Sequence, residues 1–365
     1  MTFDPQLTEQ RLINQFLNAL RELPDVHPQV KPSENAGLSG DTGRDAGIDV
    51  EIAGKALTLF VEVKKSVYPR DVRQVLWQIR QFGSDRRQAV RDDAVSVLVA
   101  ESISPGAKDL LRVERVGYYD SGGSLFVPAR GAYLYIDKPP PKTLEKAVRS
   151  LFSGRRAQVL HTLLVHHQYW FGVNTLAEKA MVSPATASQT LTELERFDWL
   201  TSRGQGPNKE RRLVEPGALL NAWVKQLPSL RLPELRRYYV PSMDAEKLID
   251  RIEQVCSAHE VEYAITHEAA AQRYTPFLSS VSQMRCWMFA GRASDAAIGD
   301  LDARVVSEGS NLVILEAKSH GDFLFRERVR GAWLASTIRV YLDLLRGEGR
   351  GKEMAEHLRH EKIGF

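Results

Sequence analysis

The chain has 365 residues, 43% of them hydrophobic and 26% charged, with a formal net charge of +3. That length suits two or three domains rather than one core, and the near-neutral balance excludes a surface that attracts polyanions everywhere, so any nucleic-acid contact must be local. Two cysteines, Cys256 and Cys286, exclude a disulfide framework and a thiolate zinc site; no apolar run approaches the roughly 18–20 residues of a membrane helix, and the opening residues lack signal-peptide features, so a cytoplasmic protein with no membrane partner is expected.

From the start, "TEQRLINQFLNALREL" repeats Leu12, Phe16 and Leu20 at helical spacing. Two strands are expected at "GIDVEI" and "ALTLFVEVKK". A helix follows at "PRDVRQVLWQIRQF", with Pro69 near its start, where the missing N–H costs nothing. A buried strand "AVSVLVA", a short helix from Pro105 and two strands within "GYYDSGGSLFVPARGAYLYID" complete an α-β-β-α-β-α-β-β order, that of an α/β sheet layer. The prolines of "DKPPPKT" end this stretch, since they continue neither strand nor helix.

Within it, Glu62 and Lys64 alternate with Val63 and so share one strand face. Asp49, on the preceding strand, is expected to meet Glu62 across the pair. Adjacent carboxylates repel, and a Mg²⁺ ion held by Asp49 and Glu62 would resolve that while accepting phosphate oxygens. Lys64 would orient a metal-bound water, and Gln74 and Gln78, one helical turn apart, would aim amides at a substrate backbone. The plainer reading is a hairpin edge with solvated charges. "DARVVSEGSNLVILEAK" warns of coincidence, because Asp302, Glu316 and Lys318 repeat nearly the same spacing.

These residues resemble the PD-(D/E)xK nuclease superfamily over roughly residues 8 to 136. The resemblance implies a restriction-endonuclease-like fold, with Asp49, Glu62 and Lys64 as catalytic positions, Gln78 as a helix contribution and Glu9 as a further acid.

The central stretch begins with the helix "RRAQVLHTLLVHHQYW". A short helix from Asn174 or Thr175 ends near Ala180, and Met181 and Val182 form a turn. Ser183 and Pro184 then occupy the cap and first position of a second helix, both favoured there. Ala187, Leu191 and Leu194 are expected inward. Ala185, Thr186, Ser188, Gln189 and Thr190 are expected outward, small or hydrogen-bonding residues suited to a major groove. The hairpin "TSRGQGPNKERRLVE" adds Arg203, Lys209, Arg211 and Arg212 against Glu210, a charge balance suited to phosphates. This resembles MarR-like winged helix-turn-helix regulators over roughly 154 to 216 and implies that Ser183, Thr186, Ser188, Gln189, Thr190 and the four cations contact double-stranded DNA. His161, His166 and His167 on the first helix read as solvated or core-edge residues.

After a proline-containing break, "LPSLRLPELRRYYVP", the last stretch mixes helices with strands at "VEYAIT", "RCWMFA", "ARVVSE" and "NLVILEA". A long closing helix is expected at "RERVRGAWLASTIRVYLDLLR". The segments "YAITHEAAAQRYTPF", "DARVVSEGSNLVILEA" and "RVYLDLLRGEGRGKEMAEHLRHEKI" together resemble AbiEi-family antitoxins of type IV toxin–antitoxin systems, which implies a transcription regulator partnered by a nucleotidyltransferase toxin. Asp300 and Asp302 lack a preceding phosphate-binding turn and read as a loop.

The fold expectation is therefore α/β and α+β multidomain. A nuclease-like α/β domain spans residues 1–138, a winged helix-turn-helix 150–226 and an AbiEi-like α+β domain 238–365. Two functions stand side by side: a DNA-binding regulator and antitoxin, compatible with a homodimer, and a Mg²⁺-dependent DNA endonuclease delivered by its winged helix.

Overall fold

The computed structural model describes residues 5–30, 46–52, 54–85, 94–129, 132–241, 244–277, 280–347 and 349–365. It forms two compact units, one of residues 1–148 with 193–198 and one of residues 149–192 with 199–365. Among the described residues the architecture is mixed α/β, with two seven-stranded sheets and a two-stranded one.

The first unit runs α1 (Pro5–Arg21), β1 (Val26–Val30), β2 (Ala46–Ile52), β3 (Lys55–Val67), α2 (Pro69–Asp85), β4 (Ala94–Ile103), α3 (Pro105–Val113), β5 (Gly117–Asp120), β6 (Leu125–Ala129) and β7 (Ala132–Ile136). Strand order follows the chain from β1 to β7. The hairpins β1–β2–β3 and β5–β6–β7 are antiparallel, whereas β3, β4 and β5 are parallel and connected through α2 and α3. Alternation assigns the faces. Ile48, Val50, Leu59, Val61, Val97 and Val99 pack with Leu12, Phe16 and Leu20 of α1. Leu98 and Ala100 pack with Val72 and Val75 of α2 and Ala107 and Leu111 of α3. Each of these Val, Leu, Ile and Phe side chains contributes about 1.5–3 kcal/mol by leaving water.

Two strands here exceed the sequence expectation. β1 carries Pro28, which lacks a ladder N–H and is tolerated because β1 is an edge. The last stretch of the unit holds three strands, not two, since β6 and β7 form a hairpin of their own. Ser104 caps α3 by accepting from the Ala107 N–H at 3.3 Å. Lys108, also on α3, is buried with Asp120 at 2.7 Å and donates to Ser124 Oγ at 2.7 Å, so its charge is partnered inside the fold.

The chain continues through α4 (Lys142–Leu151) to α5 (Gly154–Val165), α6 (Val173–Lys179), α7 (Pro184–Arg196), β8 (Leu200–Arg203), β9 (Glu210–Leu213) and α8 (Pro216–Gln226). The remainder comprises β10 (Leu235–Tyr239), α9 (Ala245–Ala258), β11 (Tyr263–Thr266), α10 (His267–Tyr274), β12 (Met284–Phe289), α11 (Arg292–Gly299), β13 (Arg304–Val305), β14 (Leu312–Ala317), β15 (Glu327–Val329), β16 (Ala332–Leu334), α12 (Thr337–Leu344) and α13 (Gly351–Leu358). Its sheet order is β13-β10-β14-β12-β11-β16-β15, with β12–β14 and β11–β16 parallel. Cys256 and Cys286 are buried free thiols.

Two expectations fail in this part. The proline-containing break supplies a strand, β10, which pairs with both β13 and β14. The long closing helix is a β15–β16 hairpin followed by the short α12. Arg330 and Gly331 both take positive φ (49° and 85°), which reverses the chain in a tight hairpin turn. Ser336 then caps α12 by accepting from the Arg339 N–H at 3.2 Å. Among the described residues no helix is long and apolar enough to cross a membrane.

Candidate nucleic-acid interface

Helices α5, α6 and α7 and the β8–β9 hairpin assemble as the local signals require. The α6–α7 turn is closed by the Val182 N–H bonding to Ala177 O at 2.9 Å, with Met181 at φ 53°. Ser183 Oγ accepts from the Thr186 N–H at 3.2 Å and lies 3.0 Å from Thr186 Oγ1, and Pro184 opens α7. Ala187, Leu191 and Leu194 are fully buried. Ala185, Gln189 and Thr192 are exposed and Ser188 is half-buried, one stripe at helical spacing.

Thr190 does not belong to that stripe. Its exposure is 0%, and its hydroxyl donates back to Thr186 O at 2.8 Å. It lies next to Leu191 on the inward side, so it cannot reach a base. Thr192 takes the outward position instead; the 185–188/189–192 spacing contained that signal.

The wing pairs β8 with β9 antiparallel, Arg203 opposite Glu210, and Phe171 bridges to Arg211 as a short third strand. Gly204 is required at the turn: at φ +71° an added Cβ would lie 2.4 Å from Asn208 O. Arg203 is exposed, Arg212 and Lys209 are half-buried, and the Arg203 and Arg212 guanidiniums both stand over the Trp170 ring, at 4.4 and 5.0 Å. Arg203 Nε and Nη2 converge on one carboxylate oxygen, Glu210 Oε2, at 2.7 and 2.6 Å.

Arg211 corrects the expectation of four projecting cations, since it is only 8% exposed. On a strand adjacent side chains point to opposite faces, so Arg211 turns inward with Leu213 while Glu210 and Arg212 turn outward. Trp170 was not singled out in the sequence, and Glu210 was read there only as the lone acid among the wing cations. Their roles depend on the Phe171 bridge and the hairpin register, which bring distant positions together.

His161 of α5, with His166 and His167 just past its end, serves packing within the second unit. His161 is buried, with Nε2 2.6 Å from Ser336 Oγ and its ring edge-on to Phe325 at 5.3 Å. Burial, with Arg339 nearby, lowers its pKa to about 3. His166 packs edge-on against Phe325 and Tyr169, and burial lowers its pKa too. His167 meets Phe365.

The strand carboxylates assemble differently from the expected site. Asp49, Glu62 and Lys64 do share the sheet face that α2 covers, opposite the core around α1. Asp49, however, lies opposite Thr58, whose Oγ1 donates to Asp49 Oδ1 at 2.7 Å. Glu62 stands four positions further along β3, about 13 Å away at the usual strand rise. The expectation that the two acids meet is thus overturned by register, and they do not fit as joint ligands of one Mg²⁺. Glu62 instead pairs with Lys64 at 2.8 Å. Among the described residues no group of three metal-ligating side chains occurs. Gln78 lies on α2, with its side chain outside the described set, while Gln74 is exposed. Glu9 sits on the exposed flank of α1, across the sheet from the other acids.

The second Glu-x-Lys forms the same local pair, Lys318 to Glu316 at 2.6 Å. Asp302 lies in a turn at φ 52°, and Asp300, at the end of α11, bonds His259 at 2.8 Å. That pair is a loop, as the sequence indicates.

No known protein family matches the chain, and no curated protein matches it. Among solved structures, NolR from Sinorhizobium fredii is similar at 18% identity, over 25% of this chain and 95% of that one, with a TM-score of 0.18. The reading of the winged-helix region therefore rests on its own geometry.

Proposed function

We propose that this chain is a double-stranded-DNA-binding transcriptional regulator acting through residues 150–226. The observation that carries the reading is the outward stripe of α7 (Ala185, Ser188, Gln189 and Thr192) joined in one motif to a hairpin bearing Arg203 and Arg212. A helix of small and amide side chains suits base edges in a major groove, and a hairpin with paired guanidiniums suits the phosphates beside it. Fluorescence anisotropy with DNA from upstream of its own gene and with an unrelated duplex tests this. Tighter, salt-sensitive binding to the upstream DNA is expected; binding to neither duplex at low salt refutes it.

The finer proposal is an antitoxin of a type IV system, paired with a nucleotidyltransferase and working as a homodimer. Its support is the resemblance of residues 263–277, 302–317 and 339–363. The most characteristic of these residues, Tyr341, Asp343 and Leu344, are buried, and Asp343 Oδ2 accepts from Thr266 Oγ1 at 2.7 Å and Trp287 Nε1 at 2.8 Å. They account for shared packing rather than for a toxin-binding surface. Co-expression with a nucleotidyltransferase encoded beside this gene tests the proposal: rescue of growth supports it, and unrelieved toxicity refutes it.

A second reading, a Mg²⁺-dependent endonuclease, draws on Glu62 and Lys64 standing on the α2-covered face of a sheet with antiparallel β2–β3 and parallel β3–β4. The separation of Asp49 from Glu62 weighs against it. Nicking of supercoiled plasmid in Mg²⁺, lost in Asp49→Ala, would revive it.

A further inference from the structure

Neutralising an arginine inside the protein usually weakens its use for a ligand, yet the wing does this to its most exposed cation. Arg203 directs Nε and Nη2 at a single oxygen of Glu210, 2.7 and 2.6 Å away. Charge-assisted bonds from a guanidinium to an anionic oxygen serve a phosphate as well as a carboxylate. The pair is solvent-exposed (57% for Arg203 and 37% for Glu210), and such pairs contribute little to stability, so surrendering it costs the fold little. Trp170 meanwhile holds the Arg203 guanidinium at 4.4 Å and that of Arg212 at 5.0 Å, independently of Glu210.

We propose that Glu210 is an internal stand-in for a DNA phosphate on Arg203, and that Trp170 is the positioning residue that keeps Arg203 and Arg212 spaced as a phosphate clamp when Glu210 is displaced. This rests on the reading of the hairpin as a DNA-binding wing. In the free chain Glu210 holds the arginine from the opposite strand of the hairpin. On the duplex a backbone phosphate takes over its oxygen's position, and the released carboxylate turns to solvent. No covalent bond changes. The exchange makes the wing discriminate against weak anions: a ligand must outcompete a carboxylate already in place.

A double-mutant cycle on a duplex that the full chain binds tests the exchange, with binding followed against salt concentration. Glu210→Gln should tighten binding on the order of tenfold by freeing Arg203. Arg203→Ala should weaken binding and lower the salt slope by about one unit. In the Arg203→Ala background the gain from Glu210→Gln should shrink below about twofold, because the residue that Glu210 occupies is gone. A gain that persists there in full overturns the stand-in, since Glu210 would then act only as a negative charge near DNA. Trp170→Leu should lower the slope by up to about two units, both guanidiniums losing their platform; an unchanged slope in a folded variant overturns the positioning role. A wild-type chain that binds no duplex at low salt overturns this inference and the proposed function together, whereas a persistent gain overturns this inference alone.

Discussion

Helix α7 and the β2–β3 strands each present a few polar residues that suggest nucleic-acid chemistry, and the fold treats them differently. In α7 the cap, the turn and the outward stripe all arise within about one dozen consecutive residues, and the structure puts all but Thr190 in the expected positions. In β2–β3 the proposed chemistry requires two strands to align, and a shift of four positions keeps Asp49 from Glu62. The second Glu-x-Lys, with Glu316 on β14 and Lys318 just past its end, makes the point from the other side. Its 2.6 Å ion pair closely matches the 2.8 Å pair on β3, so that pair reflects alternate spacing on a strand and carries no evidence of catalysis. Motifs contained in one element survive folding; motifs shared between elements are at the mercy of register.

Low pH should give the largest effect and tests whether the winged helix is built as described. His161 and His267 are buried in the second unit, and burial lowers their pKa values to about 3 and about 4. A folded pKa below the unfolded value of about 6.5 means that the unfolded chain binds protons first, so stability is complete above pH 6.5 and declines as pH falls toward those values. Each histidine should cost roughly 1.4 kcal/mol per pH unit over its window, several kcal/mol in all. Thermal unfolding followed from pH 7 to pH 4 should show the second unit losing stability, with His161→Gln flattening part of the slope. A melt that stays flat would mean that His161 is not buried against Ser336.

Next in size is the contrast between adjacent wing arginines. Arg211→Ala should destabilise the fold by about 1–3 kcal/mol, as truncation of a buried side chain does, and leave the salt slope of DNA binding unchanged. Arg212→Ala should do the reverse, lowering the slope by about one unit with little loss of stability. Denaturation and salt titrations of both variants would expose a reversed alternation at once.

Smaller still, Gln189→Ala should reduce discrimination at one or two base pairs by about 1–3 kcal/mol, read by selecting bound sequences from a random pool. Thr190→Val should leave the selected sequences unaltered and stability within about 1 kcal/mol. Altered selection by Thr190→Val would place that side chain at the groove and undo the burial argument. For the strand acids the expected effect is none: supercoiled plasmid in Mg²⁺ should stay intact with the wild-type chain and with Asp49→Ala alike.

Much of the architecture was legible in the residues. Alternating apolar runs located β2, β3 and β4, and Pro69, Pro105, Ser183 and Pro184 marked helix starts. The misses share one physical cause. β1, with Pro28 in the middle, and β10, among prolines, have weak local signals and exist because a neighbouring strand offers them hydrogen bonds. The apolar run through Ala332, Trp333 and Leu334 fits a helix as well as a strand, and the positive φ of Arg330 and Gly331 decides for the hairpin.

By itself, the order of residues determined where helices begin, which side of each strand is apolar, and that cations gather in one hairpin, because these follow from local sterics, capping and alternation. Only the tertiary structure decided which polar residues stand together. It separated Asp49 from Glu62, turned Arg211 and Thr190 inward, and brought Trp170 under Arg203 and Arg212. Register and packing set distances between elements, and no spacing along a single chain contains them.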